Sequence, residues 1–180
     1  MLKTSLNYDG GTVVIRSIVH IPFATFDPRT NCLRAQGLHY SNILSYLDQS
    51  SIPYDDFVLD LIPSPHLVTP KIVLRDYQKN ALECWVKASM KGCIILPTGA
   101  GKTIIGIKAI ELANTATLVI VPTLDLMDQW TKILSTSFTD IKIGNLGGGN
   151  DDIQAITVAT YDSAFIRASS LGNKFSLLVF

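Results

Sequence analysis

The sequence predicts an α/β protein with a small α+β module followed by a domain built on a parallel sheet. Short β-branched runs and one short helix fill the first third of the chain. A proline-rich stretch, "LIPSPHLVTP", then interrupts the pattern. After it, fully apolar strands alternate with helices, which is typical of a parallel sheet covered on both faces. We therefore divide the chain into a module at 1–62, a linker at 63–70 and a second domain at 71–180.

The bulk composition limits the possible functions. Hydrophobic residues make up 47% of the 180 residues and charged ones 17%, below the ~25% that is usual. The formal net charge is zero, so any contact with nucleic-acid phosphates must be local. The cysteines Cys32, Cys84 and Cys93 have neither disulfide nor metal-ligand spacing, which favours a reducing compartment. The sequence shows no signal-peptide pattern and no apolar run approaching ~18 residues.

The module is predicted to contain three strands, a turn and a helix. The strands are "TVVIRSIVHI" at 12–21, "CLRAQGL" at 32–38 and "FVLDLI" at 57–62, with a turn at "FDPRTN". The helix is "NILSYLDQ", capped by Ser41, and its core-facing residues are Ile43, Leu44, Tyr46 and Leu47. The histidines His20, His39 and His66 fall at unrelated places, which favours structural or surface roles over a metal site.

The second domain alternates strands and helices. Predicted strands are "GCIIL" at 92–96, "TLVIV" at 117–121, "AITVAT" at 155–160 and "FSLLVF" at 175–180. Predicted helices lie at 76–89, 102–113 and 123–134. The first should bury Tyr77, Ala81, Leu82, Trp85 and Val86, and the last Leu126, Met127, Trp130, Ile133 and Leu134.

The turn between "GCIIL" and the helix at 102–113 predicts a phosphate-binding loop. Gly99, Ala100 and Gly101 allow backbone N–H groups to surround an anion, and the helix N-terminus adds positive potential. Lys102 can reach the outer phosphates and Thr103 can ligate Mg²⁺. Leu96 stands where the strict eight-residue pattern has glycine. A loop that only turns the chain is the weaker alternative, since G-x-G-K-[ST] occurs in well under ~1 in 100 random chains of this length.

Four motifs in order across residues 74–164 carry a family resemblance. "LRDYQKNAL" with "LPTGAGKT", then "VPTLDLMDQW", "IGNLGGG" and "ITVATYDSA" resemble the motifs of superfamily 2 helicases. The N-terminal module resembles the damage-recognition domain of the XPB family, its short archaeal members especially. The resemblance implies that the chain comes from an ATP-driven DNA translocase or helicase that acts in nucleotide excision repair and transcription. It also implies that 71–180 is the N-terminal part of a RecA-like P-loop domain, incomplete here, with a parallel sheet.

The resemblance also implies an ATP and Mg²⁺ site. Its residues would be Arg75, Gln78, Pro97, Thr98, Gly99, Ala100, Gly101, Lys102 and Thr103. Gln78 would read the adenine edge with Arg75 nearby, although alone it would be interpreted as an exposed helical residue. Lys102 and Thr103 are the catalytic candidates, and Thr103 is the Mg²⁺ ligand.

DNA contacts are implied at Thr123, Gly147, Gly148, Thr160 and Ser163. Each has a structural alternative, because Thr123, Thr160 and Ser163 could cap helices and the glycines could form a flexible turn. Trp130 is interpreted as core rather than as a platform for base stacking.

In the XPB family an Asp-Glu-x-His motif and a second RecA-like domain with catalytic arginines follow "FSLLVF". We therefore expect the 180 residues to be a piece of a longer protein, and we expect this piece to bind ATP weakly or not at all and not to hydrolyse it. An incomplete sheet would leave an open edge and uncovered apolar surface, so we expect a partner, a dimer or poor solubility.

The module before residue 63 is predicted to dock a protein rather than DNA, because four Lys/Arg face six Asp/Glu there. Packing explains Tyr54 and Phe57 more simply than wedging into DNA.

The leading hypothesis is that the chain is the front part of a DNA translocase. The rival is a non-catalytic adaptor that recruits a repair nuclease or transcription-factor subunit. A kinase or GTPase would not explain Gln78. The resemblance implies an archaeal cytoplasm, or a nucleus in a eukaryote.

Overall fold

A computed structural model describes residues 3–69 and 72–180. Pro70, which ends the predicted linker, and Lys71, which begins the predicted second domain, lie outside the described residues. Two compact units are present. The first combines residues 1–61 with 165–174, and the second combines 62–164 with 175–180. Within the described ranges, we find no helix with the length and apolar character needed to cross a membrane.

The first unit contains a five-stranded sheet in the order β3-β4-β2-β1-β5. Its strands are β1 (Thr4–Asp9), β2 (Thr12–Arg16), β3 (Thr25–Asp27), β4 (Cys32–Gln36) and β5 (Tyr54–Phe57). Only the β1–β5 pair is parallel. Helix α1 (Tyr40–Gln49) follows a 3-10 turn at Gly37–His39. Ile43 and Leu47 of α1 are fully buried in one cluster with Leu6 and Ile15.

Several predictions for this unit need correction. β1 was not predicted, the strand expected at 12–21 ends at Arg16, and the one expected at 57–62 is β5 at Tyr54–Phe57. β5 contains two aspartates, which strands disfavour, and it forms because it pairs with β1. Ser41 does not cap α1, because the 3-10 turn leads directly into the helix and places His39 at the N-cap. Phe57 is 63% exposed, so packing does not explain it.

The predicted inward face of α1 is confirmed. Ile43 and Leu47 are 0% exposed, and Leu44 and Tyr46 are half-buried against the same core.

The second unit contains a sheet in the order β10-β6-β9-β7-β8. Its strands are β6 (Thr117–Val121), β7 (Ile143–Gly147), β8 (Asn150–Asp152), β9 (Ile156–Thr160) and β10 (Leu177–Val179). All pairs are parallel except β7–β8. Its helices are α2 (Asp76–Lys87), α3 (Lys102–Ala113) and α4 (Leu124–Ser137), and a further helix, α5 (Tyr161–Leu171), begins in this unit and belongs from Phe165 onward to the first. Every residue of β6 and β9 is buried, as expected for strands covered on both faces.

The strand predicted at 92–96 is wrong. Cys93 is exposed and Ile95 is 87% exposed, and no described strand pairs with this segment. A strand needs a hydrogen-bonded neighbour. Strand β10 has β6 on one side and no described strand on the other, so segment 92–96 does not extend the sheet there. Val86, predicted to face inward from α2, is 42% exposed. The motif "IGNLGGG" forms strand β7 and, at Gly148 and Gly149, a glycine turn into β8.

Candidate nucleotide-binding site

The glycine-rich loop ends at the first residue of α3. Gly99 and Gly101 both have φ of +78°, a left-handed conformation that glycine adopts without steric cost. Gly101 caps α3, and its carbonyl accepts from the N–H groups of Ile104 and Ile105 at 3.1 and 3.3 Å. Lys102 and Thr103 are the first two residues of the helix, where N–H groups have no acceptor within the helix. Together with the helix dipole, this end of α3 suits an anion.

Helix α2 holds the loop from one side. The Tyr77 hydroxyl and the Gln78 amide both donate to the Ala100 carbonyl, at 2.8 and 3.0 Å. The Gln78 Oε1 accepts from the backbone N–H of Arg75 at 2.9 Å. A Cβ added at Gly101 would lie 2.7 Å from Gln78 Nε2, so glycine is needed for this approach. The start of α2 is thereby tied to the loop.

Lys102 lies beside the start of the loop and is exposed. Its Nζ donates to the carbonyls of Leu96 and Pro97 at 3.1 and 3.3 Å. A Cβ on Gly99 would meet nothing within 4 Å. The donors here are the exposed Lys102 ammonium and two N–H groups at the start of the helix. Together with the open space beside Gly99, they fit a phosphate group.

Gln78 contacts the loop directly, and Arg75 lies beside Gln78 and Tyr77. Gln78 is 3% exposed, so it is not an ordinary exposed helical residue. Arg75 is exposed, and its Nη1 lies 3.3 Å from the Tyr77 hydroxyl. Pro97 and Thr98 are exposed, and Thr103 is half-buried.

Sequence reasoning missed Tyr77, which was predicted to pack inward but is 37% exposed and holds the loop through its hydroxyl. Its place beside Gln78 in the first turn of α2 was the available signal. The described residues include no group of three or more His, Cys, Asp or Glu side chains that could hold a metal ion. The predicted Mg²⁺ ligand therefore stays a single hydroxyl, that of Thr103.

A second group of predicted residues meets at the carboxyl ends of β6, β7 and β9, which run parallel. The Thr160 side chain is nearly buried, and its Oγ1 lies 3.0 Å from the Ser163 hydroxyl. A Cβ on Gly147 would lie 3.0 Å from the same Thr160 oxygen. The ends of β7 and β9 are therefore in contact.

The end of β6 adds Thr123 to this group. Its Oγ1 accepts from the Leu126 N–H at 3.3 Å and so caps α4. A Cβ on Gly148 would lie 2.9 Å from the side chain of Leu124, the next residue. The capping role predicted as an alternative for Thr123 is therefore present. Trp130 packs against Gly106 of α3 and the hydrophobic core, as predicted.

A polar brace on α3, which the sequence did not predict, holds the end of the connecting segment. The Thr69 N–H and hydroxyl both donate to Glu111 Oε1, at 2.8 and 2.9 Å. Lys108 donates to the Thr69 hydroxyl and pairs with Glu111. Burial would raise the pKa of Glu111, but hydrogen bonds from Lys108 and Thr69 outweigh it and lower that pKa. The Leu67 N–H donates to Asn114 Oδ1 at 2.8 Å.

Comparison with known protein families gives two matches. Residues 71–180 match the family described as "Type III restriction enzyme, res subunit". Residues 6–58 match the "Xeroderma pigmentosum group B helicase damage recognition domain". Together the two matches cover both units of the chain.

Relatives and a solved structure agree with these matches. The DNA 3'-5' translocase XPB2 of Sulfurisphaera tokodaii is 40% identical over 167 residues, 93% of this chain and 37% of that protein. The DNA 3'-5' helicase XPB of Mycobacterium tuberculosis is 37% identical over 91 residues, 49% of this chain and 16% of that protein. The UvsW helicase of bacteriophage T4 aligns with a TM-score of 0.51 and 17% identity, covering 98% of this chain and 81% of that one. At that identity the alignment shows the fold alone.

Fold and site together define an α/β domain with a parallel sheet and a glycine-rich loop at the start of α3, preceded in the chain by a small α+β module. The chain belongs to the family of the Type III restriction enzyme res subunit, and its damage-recognition module makes it a member of XPB type. The predicted resemblance is thereby confirmed. The chain spans little more than a third of the length of XPB2.

Proposed function

We propose that this chain is the front part of an ATP-dependent DNA translocase or helicase that couples ATP hydrolysis to DNA opening in excision repair or transcription. The observation that carries the proposal is the glycine loop at the start of α3, held by Tyr77 and Gln78 at the Ala100 carbonyl. The names of the relatives, DNA 3'-5' translocase and helicase, support the substrate. The described cysteines are free thiols, which supports a reducing compartment, the cytoplasm of an archaeon or a eukaryotic nucleus.

In this proposal, ATP would supply the phosphoryl group that is transferred, and Mg²⁺ would supply positive charge that neutralises the phosphates. Lys102 would pair with the outer phosphates, and the Thr103 hydroxyl would ligate the metal ion. Gln78 keeps one amide hydrogen and one lone pair after bonding Ala100 and Arg75. It can therefore read an adenine edge and hold the loop at the same time. Arg75, Pro97 and Thr98 line the exposed side of the site.

Nucleotide binding is tested with a fluorescent ATP analogue and Mg²⁺, titrated into the 180-residue chain. Lys102→Ala should weaken binding by about ten- to a hundredfold, the effect of losing a charged hydrogen bond worth about 1.5–3 kcal/mol. Lys79→Ala is the matched control, because Lys79 is an exposed lysine of α2. Equal affinities for wild type and Lys102→Ala, with unchanged melting curves, would refute the nucleotide site.

We also propose that Thr123, Gly147, Gly148, Thr160 and Ser163 contact DNA. Their support is their convergence at the carboxyl ends of three neighbouring parallel strands, where ligands of α/β sheets bind. Hydroxyls and glycine N–H groups suit phosphate oxygens, and such contacts position a strand without reading its sequence.

The DNA contacts are tested on the product of the full reading frame by DNA-stimulated ATPase activity. Thr160→Val and Ser163→Ala should raise the DNA concentration needed for half-stimulation several-fold. Thr136→Val, an exposed threonine of α4, should change nothing. Loss of unstimulated activity with unchanged DNA dependence would assign these residues to structure instead.

A second candidate function, a non-catalytic adaptor that recruits a nuclease or transcription factor, draws on the first unit. Lys3, Arg29 and Arg34 are each paired with an aspartate there, which leaves little for a DNA backbone to hold. DNA-stimulated ATP hydrolysis by the full reading frame favours the motor, and nucleotide binding without hydrolysis favours the adaptor.

A further inference from the structure

The sheet of the first unit has an uncovered apolar edge at β3. This strand pairs with β4 on one side, and no described strand lies on its other side. Phe26 on β3 is 59% exposed, and nearby Phe23 and Ile18 are 54% and 75% exposed. Free edge strands with exposed apolar side chains are sites where another polypeptide adds.

Phe26 ends an apolar row that begins inside the core. Leu6, Ile15, Leu33 and Phe26 lie opposite one another across β1, β2, β4 and β3. Residues directly opposite in antiparallel strands share a face of the sheet. Leu6 and Ile15 are 0% exposed, Leu33 is half-buried and Phe26 is 59% exposed. The apolar face therefore continues beyond the part of the sheet that is covered.

A groove of about 710 Å³ runs beside this edge. Its lining includes Ile18, Val19 and Phe26 together with the basic side chains of Lys3, Arg16 and His20. The described residues that line it include no Asp or Glu. Lys3 pairs with Asp55, which is outside the groove, whereas Arg16 makes no ion pair with any described residue. The groove thus combines apolar surface with uncompensated positive charge.

We propose that this groove binds an extended peptide segment of a partner protein, one that mixes apolar residues with Asp or Glu. The apolar side chains pack on Phe26 and Ile18, a carboxylate pairs with Arg16, and the free side of β3 offers main-chain hydrogen bonds. Nucleic acid fits less well, because Ile18 and Val19 cannot stack on bases and Arg16 provides only one free cation for phosphates. The inference does not depend on the nucleotide site.

The test is a selection of random, phage-displayed short peptides on the 180-residue chain, with Phe26→Ser as the counter-selection. The expected winners combine Ile, Leu or Phe with Asp or Glu. A fluorescein-labelled winner should lose about tenfold or more in affinity for Phe26→Ser, the size of an interface hot spot. It should lose several-fold for Arg16→Gln and with rising salt. Phe57→Ser is the matched control, because Phe57 is 63% exposed on the opposite edge strand β5.

Melting curves of each variant check that the fold survives, and Ile18→Ser, at a residue 75% exposed, replaces Phe26→Ser should that variant unfold. An absence of enriched peptides would overturn the proposal. So would winners without acidic residues, or binding that the groove variants leave unchanged. Labelled single-stranded DNA that displaces the peptide and is weakened by the same variants would assign the groove to nucleic acid instead.

Discussion

Strands β1 and β2 of the first unit alternate in burial, whereas the strands β6 and β9 of the second bury every residue. β2 alternates buried and half-buried positions, while β6 and β9 are buried throughout. A sheet covered on one face keeps the other face and its edges for contacts. A parallel sheet covered on both faces can present chemistry only at the ends of its strands. The first unit therefore exposes a sheet face and sheet edges for contacts, whereas in the second unit a ligand would have to bind at the ends of the strands.

Polar side chains of the first-unit sheet and of the glycine loop differ in their partners. In the first unit Arg34 pairs with Asp9 at 2.9 Å and Tyr54 with Asp48 at 3.0 Å. In the second, Tyr77, Gln78 and Lys102 donate to backbone carbonyls of the glycine loop. Side chains that shape a loop leave its N–H groups available to a ligand, whereas side chains that neutralise each other leave little free charge.

The largest expected effect comes from opening a cavity in each core. Leu47 in α1 and Leu134 in α4 are both 0% exposed, and replacing either by alanine should cost about 2–5 kcal/mol. If the units act separately, Leu47→Ala leaves the affinity for the ATP analogue unchanged while Leu134→Ala lowers it. Circular dichroism melting and nucleotide titration measure the two quantities. Loss of nucleotide binding in a still-folded Leu47→Ala protein would show that the two units do not act separately.

A pair of glycine variants isolates the contact between α2 and the loop. Gly99 and Gly101 share a φ of +78°, so alanine at either should cost about 1–2 kcal/mol of backbone strain. Only at Gly101 does the new methyl group meet Gln78, and displacing that buried amide should add about 1–3 kcal/mol. Gly101→Ala should therefore lower the melting temperature more than Gly99→Ala. Equal effects would show that Gln78 does not hold the loop.

The smallest expected effect on stability comes from removing one ion pair in each unit. The side chains of Lys3 and Asp55 are 50% and 45% exposed, whereas those of Lys108 and Glu111 are both 20% exposed. Asp55→Asn should cost at most about 0.5 kcal/mol. Glu111→Gln should cost about 1–2 kcal/mol, because its hydrogen bonds to Thr69 also weaken.

The Glu111 contribution also predicts a pH dependence. Its pKa in the folded chain lies below the ordinary value of 4.5. The stabilisation is therefore complete above pH 4.5 and is lost as the pH falls through the lowered pKa. Melting temperatures at pH 7 and in this acid range should differ less for Glu111→Gln than for wild type. An unchanged difference would mean that Glu111 does not couple to folding.

The sequence predicted well those helices and buried strands that show helical periodicity or a short apolar run. The helix expected at 102–113 is α3 at Lys102–Ala113, and "TLVIV" is β6, because periodicity and apolar runs are local properties. The segment 92–96 carried the same apolar signal but is not a strand, since a strand also needs a neighbour. Tyr77 and the Thr69–Glu111 brace were missed, because their partners lie 23 and 42 residues away.

By itself, the sequence determined the glycine loop, the helix that starts at Lys102 and the order of motifs, because each depends on residues adjacent along the chain. The tertiary structure decided which donors reach Ala100 and where the ends of β6, β7 and β9 meet. It also decided which apolar residues stay uncovered at β3. These features depend on distances between segments far apart in the chain, which packing sets and local pattern does not encode.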